Sequence, residues 1–184
     1  MADHVCPWWM GYVLANPLRR LVDKPEKLVE GFVQEGMTAV DYGCGMGFFT
    51  LPLARMVGPA GKVIAVDVQQ KMLDGMQRRA QRAGLSDRIE PVLVNSSGPK
   101  INAPVDFVAA LNVVHELPDA KEFFSHMAAI MKQKAKLLLV EPGFHVRGGD
   151  FQDCLDVATS TGLSVMDAEI NCRGRGAILE LPGS

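Results

Sequence analysis

The sequence predicts a doubly wound α/β fold whose mostly parallel, seven-stranded sheet ends in an antiparallel hairpin. Three observations predict it. From about Thr38 onward, short β-rich runs alternate with helix-period runs, the pattern of a sheet covered on both faces by helices. A glycine-rich turn, Gly43-Cys44-Gly45-Met46-Gly47, follows the first β-rich run. The last two β-rich runs are joined through Asn171 to Arg175, which reads as a turn. A direct turn makes neighbouring strands antiparallel.

In order, the predicted strands are Thr38–Tyr42, Val63–Val68, Ile89–Val94, Val105–Leu111, Lys136–Glu141, Leu163–Ile170 and Gly176–Leu181. Helical patterns fall at Phe48–Val57, Gln70–Ala83, Asp119–Met131 and Gly149–Thr161. The second of these has a clear apolar stripe: Met72, Leu73, Met76 and Ala80 share one face, and Gln77, Arg78, Gln81 and Arg82 lie opposite. Residues 1–36 form a separate segment ahead of the 37–184 domain. There, Asn16-Pro17 and Lys24-Pro25 each read as a helix start with proline at the first helical position. Leu18, Leu21 and Val22 would face inward on one helix, and Leu28, Val29 and Phe32 on the next.

The bulk properties exclude several classes. The chain has 184 residues, net charge −2 and a pI of about 6.1. A dedicated nucleic-acid binder carries a basic excess, so a nucleic-acid partner is not expected. Cys6, Cys44, Cys154 and Cys172 form no CxxC pair, which argues against a disulfide framework or a structural zinc. Neither a signal peptide nor a membrane-length apolar run is present, the longest such run being Cys6 to Ala15. The expectation is a cytoplasmic protein with reduced thiols, of unspecified oligomeric state.

In open α/β sheets, ligands bind beyond the carboxyl ends of the strands. The glycine turn stands at such an end. Glycines there let the backbone bend sharply and a ligand approach closely. Asp67, twenty positions after Gly47, ends the second strand, where a carboxylate can accept from ribose hydroxyls. The spacing is G-x-G-x-G, whereas a dinucleotide fingerprint is G-x-G-x-x-G, and Phe48 stands where the latter needs glycine. Asp41, just before the turn, would repel a diphosphate; it can hold an ammonium group or fix the loop. A nicotinamide oxidoreductase is therefore disfavoured.

Four pieces in order carry a family resemblance: Val40 to Gly47, Val63 to Leu73, Asp106 to Pro118, and Leu137 to Pro142. Residues 37–142 resemble the class I, S-adenosylmethionine-dependent methyltransferases, near the group that includes ubiquinone/menaquinone-biosynthesis and arsenite methyltransferases. The resemblance implies a Rossmann-like fold, S-adenosylmethionine as cofactor and S-adenosylhomocysteine as product. It implies that Asp41 and the backbone of Gly43, Cys44, Gly45 and Gly47 hold the methionine moiety. Asp67 would bind the ribose, Val68 and Met72 would flank the adenine, and Asn95 and Ser96 would stand at its edge. Leu111 and Asn112 would contact the methionine end. The stretch Leu111-Asn112-Val113-Val114 does not match the Asn-Pro-Pro-Tyr motif of amino-directed nucleic-acid methyltransferases, and no three-cysteine arsenite site is recognisable.

A methyl acceptor that is a thiolate or an enolate-like carbon needs little help, but a neutral hydroxyl or amine needs a base near the operating pH. His115 is the first candidate, His145 the second and Glu116 the third. Trp8, Trp9 and Tyr12 are candidates for substrate contact, their simpler reading being an apolar staple onto the domain. No ligand spacing supports a metal site. The expected function is methyl transfer to a small, partly apolar acceptor. Its rival is a non-catalytic S-adenosylmethionine-binding regulatory or partner module.

Overall fold

The computed structural model describes residues 24–94, 98–168 and 170–183. Trp8, Trp9 and Tyr12, the first predicted N-terminal helix, and Asn95 and Ser96 lie outside the described residues. The chain divides into two compact units, with the boundary between Ile101 and Asn102.

The first unit contains α1 (Pro25–Val29), β1 (Thr38–Tyr42), α2 (Thr50–Met56), β2 (Lys62–Asp67), α3 (Gln70–Arg82) and β3 (Ile89–Leu93). Its strands are parallel and ordered β3-β2-β1. β1 and β2 are buried along nearly their whole length, and their sequences are accordingly near-continuous apolar runs. β3 is half exposed and carries Pro91, which a sheet tolerates where no ladder partner needs its missing N–H. Pro25 opens α1 as its sequence position predicts, and Val29 and Val33 are buried. α3 buries Met72, Leu73, Met76 and Ala80, the stripe its periodicity predicts. It packs against β2 and β3.

The second unit contains β4 (Val105–Leu111), α4 (Ala120–Ile130), β5 (Met131–Glu141), α5 (Gly148–Ser160), β6 (Ser164–Met166) and β7 (Arg175–Glu180), with a short 3-10 turn at Val114–Glu116. The strand order is β4-β5-β7-β6. β4 and β5 are parallel, whereas β7 runs antiparallel to both β5 and β6. Thus the C-terminal strand does more than close a hairpin: it is inserted beside β5, and the short, exposed β6 is the edge. β6 covers only three of the eight residues expected of that strand, because the chain leaves the sheet after Met166. β5 instead begins five residues earlier than expected. Lys134, at φ +63°, lets it kink and continue through a register irregularity against β4.

Leu137, Leu138 and Leu139 have no exposed surface, and Phe107, Phe124 and Met127 pack in the same core. Burying one such side chain contributes about 1.5–3 kcal/mol. Asp119 caps α4, its carboxylate accepting from the Glu122 N–H at 2.9 Å.

One close approach in the first unit sets a stability test. Gly75 lies inside α3, where alanine would ordinarily be about 1 kcal/mol better. A Cβ there, however, would stand 2.9 Å from Met46 Cγ. Gly75→Ala is therefore expected to lower stability in urea unfolding, and to raise it when Met46 is also alanine. A stabilised single variant would show that Met46 does not occupy that seat.

Candidate active site

The glycine turn begins where β1 runs out. Gly43, Gly45 and Gly47 have φ of +75°, +52° and +80°, so the turn is left-handed at alternate residues. The N–H groups of Gly43 and Cys44 both donate to Val66 O at 2.9 Å, and Gly47 N–H donates to Cys44 O. Gly45 and Gly47 serve different ends. A Cβ on Gly47 would stand 2.7 Å from Met76 and 2.8 Å from Leu51, so glycine is needed there for packing. A Cβ on Gly45 would meet nothing within 4 Å, which leaves its backbone open to an approaching group.

Asp67 ties this turn to the next one. Its Oδ2 accepts from Gly45 N–H at 2.9 Å and its Oδ1 from Gln69 N–H at 2.8 Å. Burial raises the Asp67 pKa, and these backbone bonds oppose the rise. Val68, next in sequence, is 50% exposed.

Other predicted site residues are buried instead. Asp41 is 2% exposed and its carboxylate accepts the Thr50 hydroxyl, linking the end of β1 to the start of α2. Of its two expected uses, this geometry serves loop fixing. Burial raises its pKa to about 7, against the Thr50 bond and with help from the charge of Asp67. Met72 is buried against Met46, the side chain that the turn lays over α3. Arg79, from the same helix, donates to Met46 O. Neither Arg79 nor Gly75 was marked by the motif, although a glycine inside an otherwise strong helical pattern is a signal of close packing. The Cys44 thiol is buried and its pKa is driven up by burial and by Asp41 and Asp67; it is not a thiolate.

In the second unit, β4 ends at Leu111, which is buried, and Asn112 follows at φ +57°. A non-glycine residue in that region is uncommon, and asparagine is one of the few that accept it. Asn112 N–H donates to Val140 O at 2.7 Å, which turns the chain across the end of β5. The next residues form the 3-10 turn, with Val114 buried.

That turn brings His115 onto Glu141, the last residue of β5. Glu141 Oε1 accepts from Val114 N–H at 2.9 Å, and Oε2 pairs with His115 Nδ1. Glu141 is 2% exposed, whereas the His115 ring is partly open. The bond to Glu141 raises the His115 pKa above 6.5, burial opposes it, and the charges of Glu141 and Glu116 add to it. His145 stacks on His115 with ring centroids 6.0 Å apart and planes 15° apart. Phe144, 86% exposed, lies 4.5 Å from the His145 ring. Glu116 stands 3.9 Å from His115 Nε2. The three residues predicted as bases are thus neighbours.

An alternating α/β fold, a left-handed glycine turn and a strand-end carboxylate define a nucleoside-cofactor-binding domain. A methyltransferase-domain family model matches residues 39–134. The chain belongs to this family, the class I, S-adenosylmethionine-dependent methyltransferases, with their Rossmann-like seven-stranded sheet. It is 30% identical to a demethylmenaquinone methyltransferase of Lactobacillus johnsonii over 59% of this chain and 45% of the relative. It is also 30% identical to a Streptomyces aklanonic acid methyltransferase over 77% of this chain and 61% of the relative. The chain thus spans about half the length of these curated relatives. The crystal structure of a SAM-dependent methyltransferase from Aquifex aeolicus superposes with a TM-score of 0.81 at 26% identity, covering 96% of this chain and all of the other.

Asp41 makes a pH-dependent contribution with a definite sign. Its folded-state pKa, about 7, lies above the ordinary 3.8. The favourable contribution is therefore complete below about pH 4 and is lost as pH rises through 7. Asp41→Asn keeps an oxygen for Thr50 and removes the charge. Relative to wild type, it should gain a few kcal/mol between about pH 5 and pH 8, at about 1.4 kcal/mol per pKa unit. Urea unfolding at both pH values measures this, and an identical difference at the two would refute the assignment.

Proposed function

We propose that this chain binds S-adenosylmethionine at the glycine turn and transfers its methyl group to a small, partly apolar acceptor. The observation that carries the cofactor reading is the Gly45–Asp67–Gln69 arrangement. A carboxylate has about four acceptor positions; on Asp67 the Gly45 and Gln69 N–H groups take one on each oxygen, and the Val68 N–H also bears on the carboxylate. The acceptor capacity left over suits a ribose hydroxyl, and half-exposed Val68 offers an apolar edge beside it. The open side of Gly45 suits a chain laid along the backbone, so the residues present fit this cofactor.

When bound, the cofactor supplies an electrophilic methyl group on a sulfonium. The protein's task is then to orient the acceptor, exclude water and take up a proton where the acceptor carries one. His115 is proposed for the proton. It follows β4, and Glu141 ends β5, so both stand at carboxyl ends of strands, where ligands bind in such sheets. Exposed Phe144 and the His145 ring beside it supply an apolar, planar surface for the acceptor. Two of the relatives, a demethylmenaquinone and an aklanonic acid methyltransferase, are named for small-molecule acceptors.

Three measurements test this. Asp67→Ala should weaken S-adenosylhomocysteine binding at least tenfold by calorimetry, since hydrogen bonds to a charged group contribute about 1.5–3 kcal/mol; unchanged affinity would sink the ribose role. With methyl-labelled S-adenosylmethionine, label should enter small-molecule extracts and not purified RNA, DNA or protein. His115→Ala should bind the cofactor normally and lose roughly 10²–10⁴ in turnover on a hydroxyl acceptor. Tight cofactor binding with no labelled product from any fraction would point to a binding module.

A further inference from the structure

We infer that Glu141 is a positioning residue: it holds the His115 ring with the proton on Nδ1 and leaves Nε2 as the sole proton-accepting atom. The inference rests on the proposed role of His115, but its geometry lies wholly within the second unit.

A carboxylate is an acceptor only, at both oxygens. Glu141 Oε1 is engaged by the backbone N–H of Val114, the residue just before His115. The carboxylate is thereby fixed to the same turn that carries the ring, and Oε2 is left facing Nδ1. A ring nitrogen meeting a carboxylate oxygen must bring the proton, so neutral His115 carries it on Nδ1. The register builds this contact: Leu111 lies opposite Val140, and Asn112 N–H bonds Val140 O, so the turn after β4 starts where β5 reaches Glu141. The His145 ring lies nearly parallel to the imidazole, its centroid 6.0 Å away.

Among the described residues, the charged and titratable groups around this pair are Glu116, His145, Cys154 and Arg175. Glu116, on the same turn, stands 3.9 Å from Nε2. His145 covers the ring face. On α5, the Cys154 thiol feels the charge of Glu141, although burial is the larger cause of its raised pKa. Arg175 is the register partner of Glu141 on β7, and its guanidinium donates to Val146 O. No charge in this group besides Glu141 bonds to Nδ1. A proton taken from an acceptor adds to Nε2 and makes the imidazolium, which the Glu141 carboxylate facing Nδ1 stabilises, the division of labour of a carboxylate–histidine pair.

The test reads the imidazole nitrogens by NMR, with the His115 signals assigned by their loss in His115→Gln. In wild type at a pH above the His115 pKa, Nδ1 should be protonated and Nε2 bare. Glu141→Gln should keep an oxygen for Val114 N–H and turn its amide N–H toward Nδ1. The ring then shifts its proton to Nε2, and the His115 pKa falls relative to wild type, while Tm changes little. A Glu141 that only anchors the Val114 turn would leave tautomer and pKa unchanged in this variant, which would overturn the inference. Should Glu141→Gln not fold, the wild-type spectrum decides: a neutral ring protonated on Nε2 refutes the assignment, and one protonated on Nδ1 supports it. Calorimetry with S-adenosylhomocysteine runs alongside. Failure to bind would remove the proposed reaction while leaving the tautomer result standing.

Discussion

The cofactor turn depends on the Asp67 carboxylate, which accepts from Gly45 N–H on one side and Gln69 N–H on the other. Those two amides belong to the turns after β1 and β2, and the parallel register Asp41 to Ala65 brings the strand ends level. A buried amide left without an acceptor costs about 1–3 kcal/mol, so the carboxylate stabilises both turns before any ligand arrives. It also meets burial with backbone N–H donors, which limit how far its pKa rises.

Packing beneath the turn follows from the same path. The left-handed residues send Met46 down over α3, where Gly75 leaves room for it and Met72 lies beside it. Gly47, pressed on Met76 and Leu51, brings the chain into α2 close to α3. Three elements therefore share one seat, and the turn cannot shift without moving a core methionine. Such preorganisation spares a ligand part of the ordering cost of binding.

Much of this was legible in the sequence. β1 and β4 have the expected boundaries because turn residues bound their apolar runs, Gly36 and Gly43 for β1 and Pro104 and Asn112 for β4. The buried stripe of α3 follows its periodicity. Asp67 and the glycines are marked by spacing alone. What spacing cannot mark is depth. Asp41 and Met72 fall in the motif; Asp41 also accepts the Thr50 hydroxyl and Met72 lies against Met46, contacts that spacing does not mark. β7 shows the same limit at the level of topology: a short connection fixes antiparallel direction, but not the insertion beside β5. The His115–Glu141 contact joins residues 26 apart, so it exists only through the β4–β5 register.

Asp41 and Glu141 show how one residue class acquires two characters. Each is 2% exposed. Asp41 faces a neutral hydroxyl, a partner that cannot balance its charge, and its pKa rises to about 7. Glu141 faces a backbone N–H and an imidazole that can itself take a proton. Burial at Asp41 therefore favours loss of the charge, whereas the bond to Glu141 raises the His115 pKa against the burial of the ring. The first outcome gives a carboxyl suited to holding a strand to a helix. The second gives an imidazole whose pKa is raised chiefly by its bond to a buried carboxylate. Depth alone would predict the same behaviour for both; the partner each carboxylate meets sets them apart.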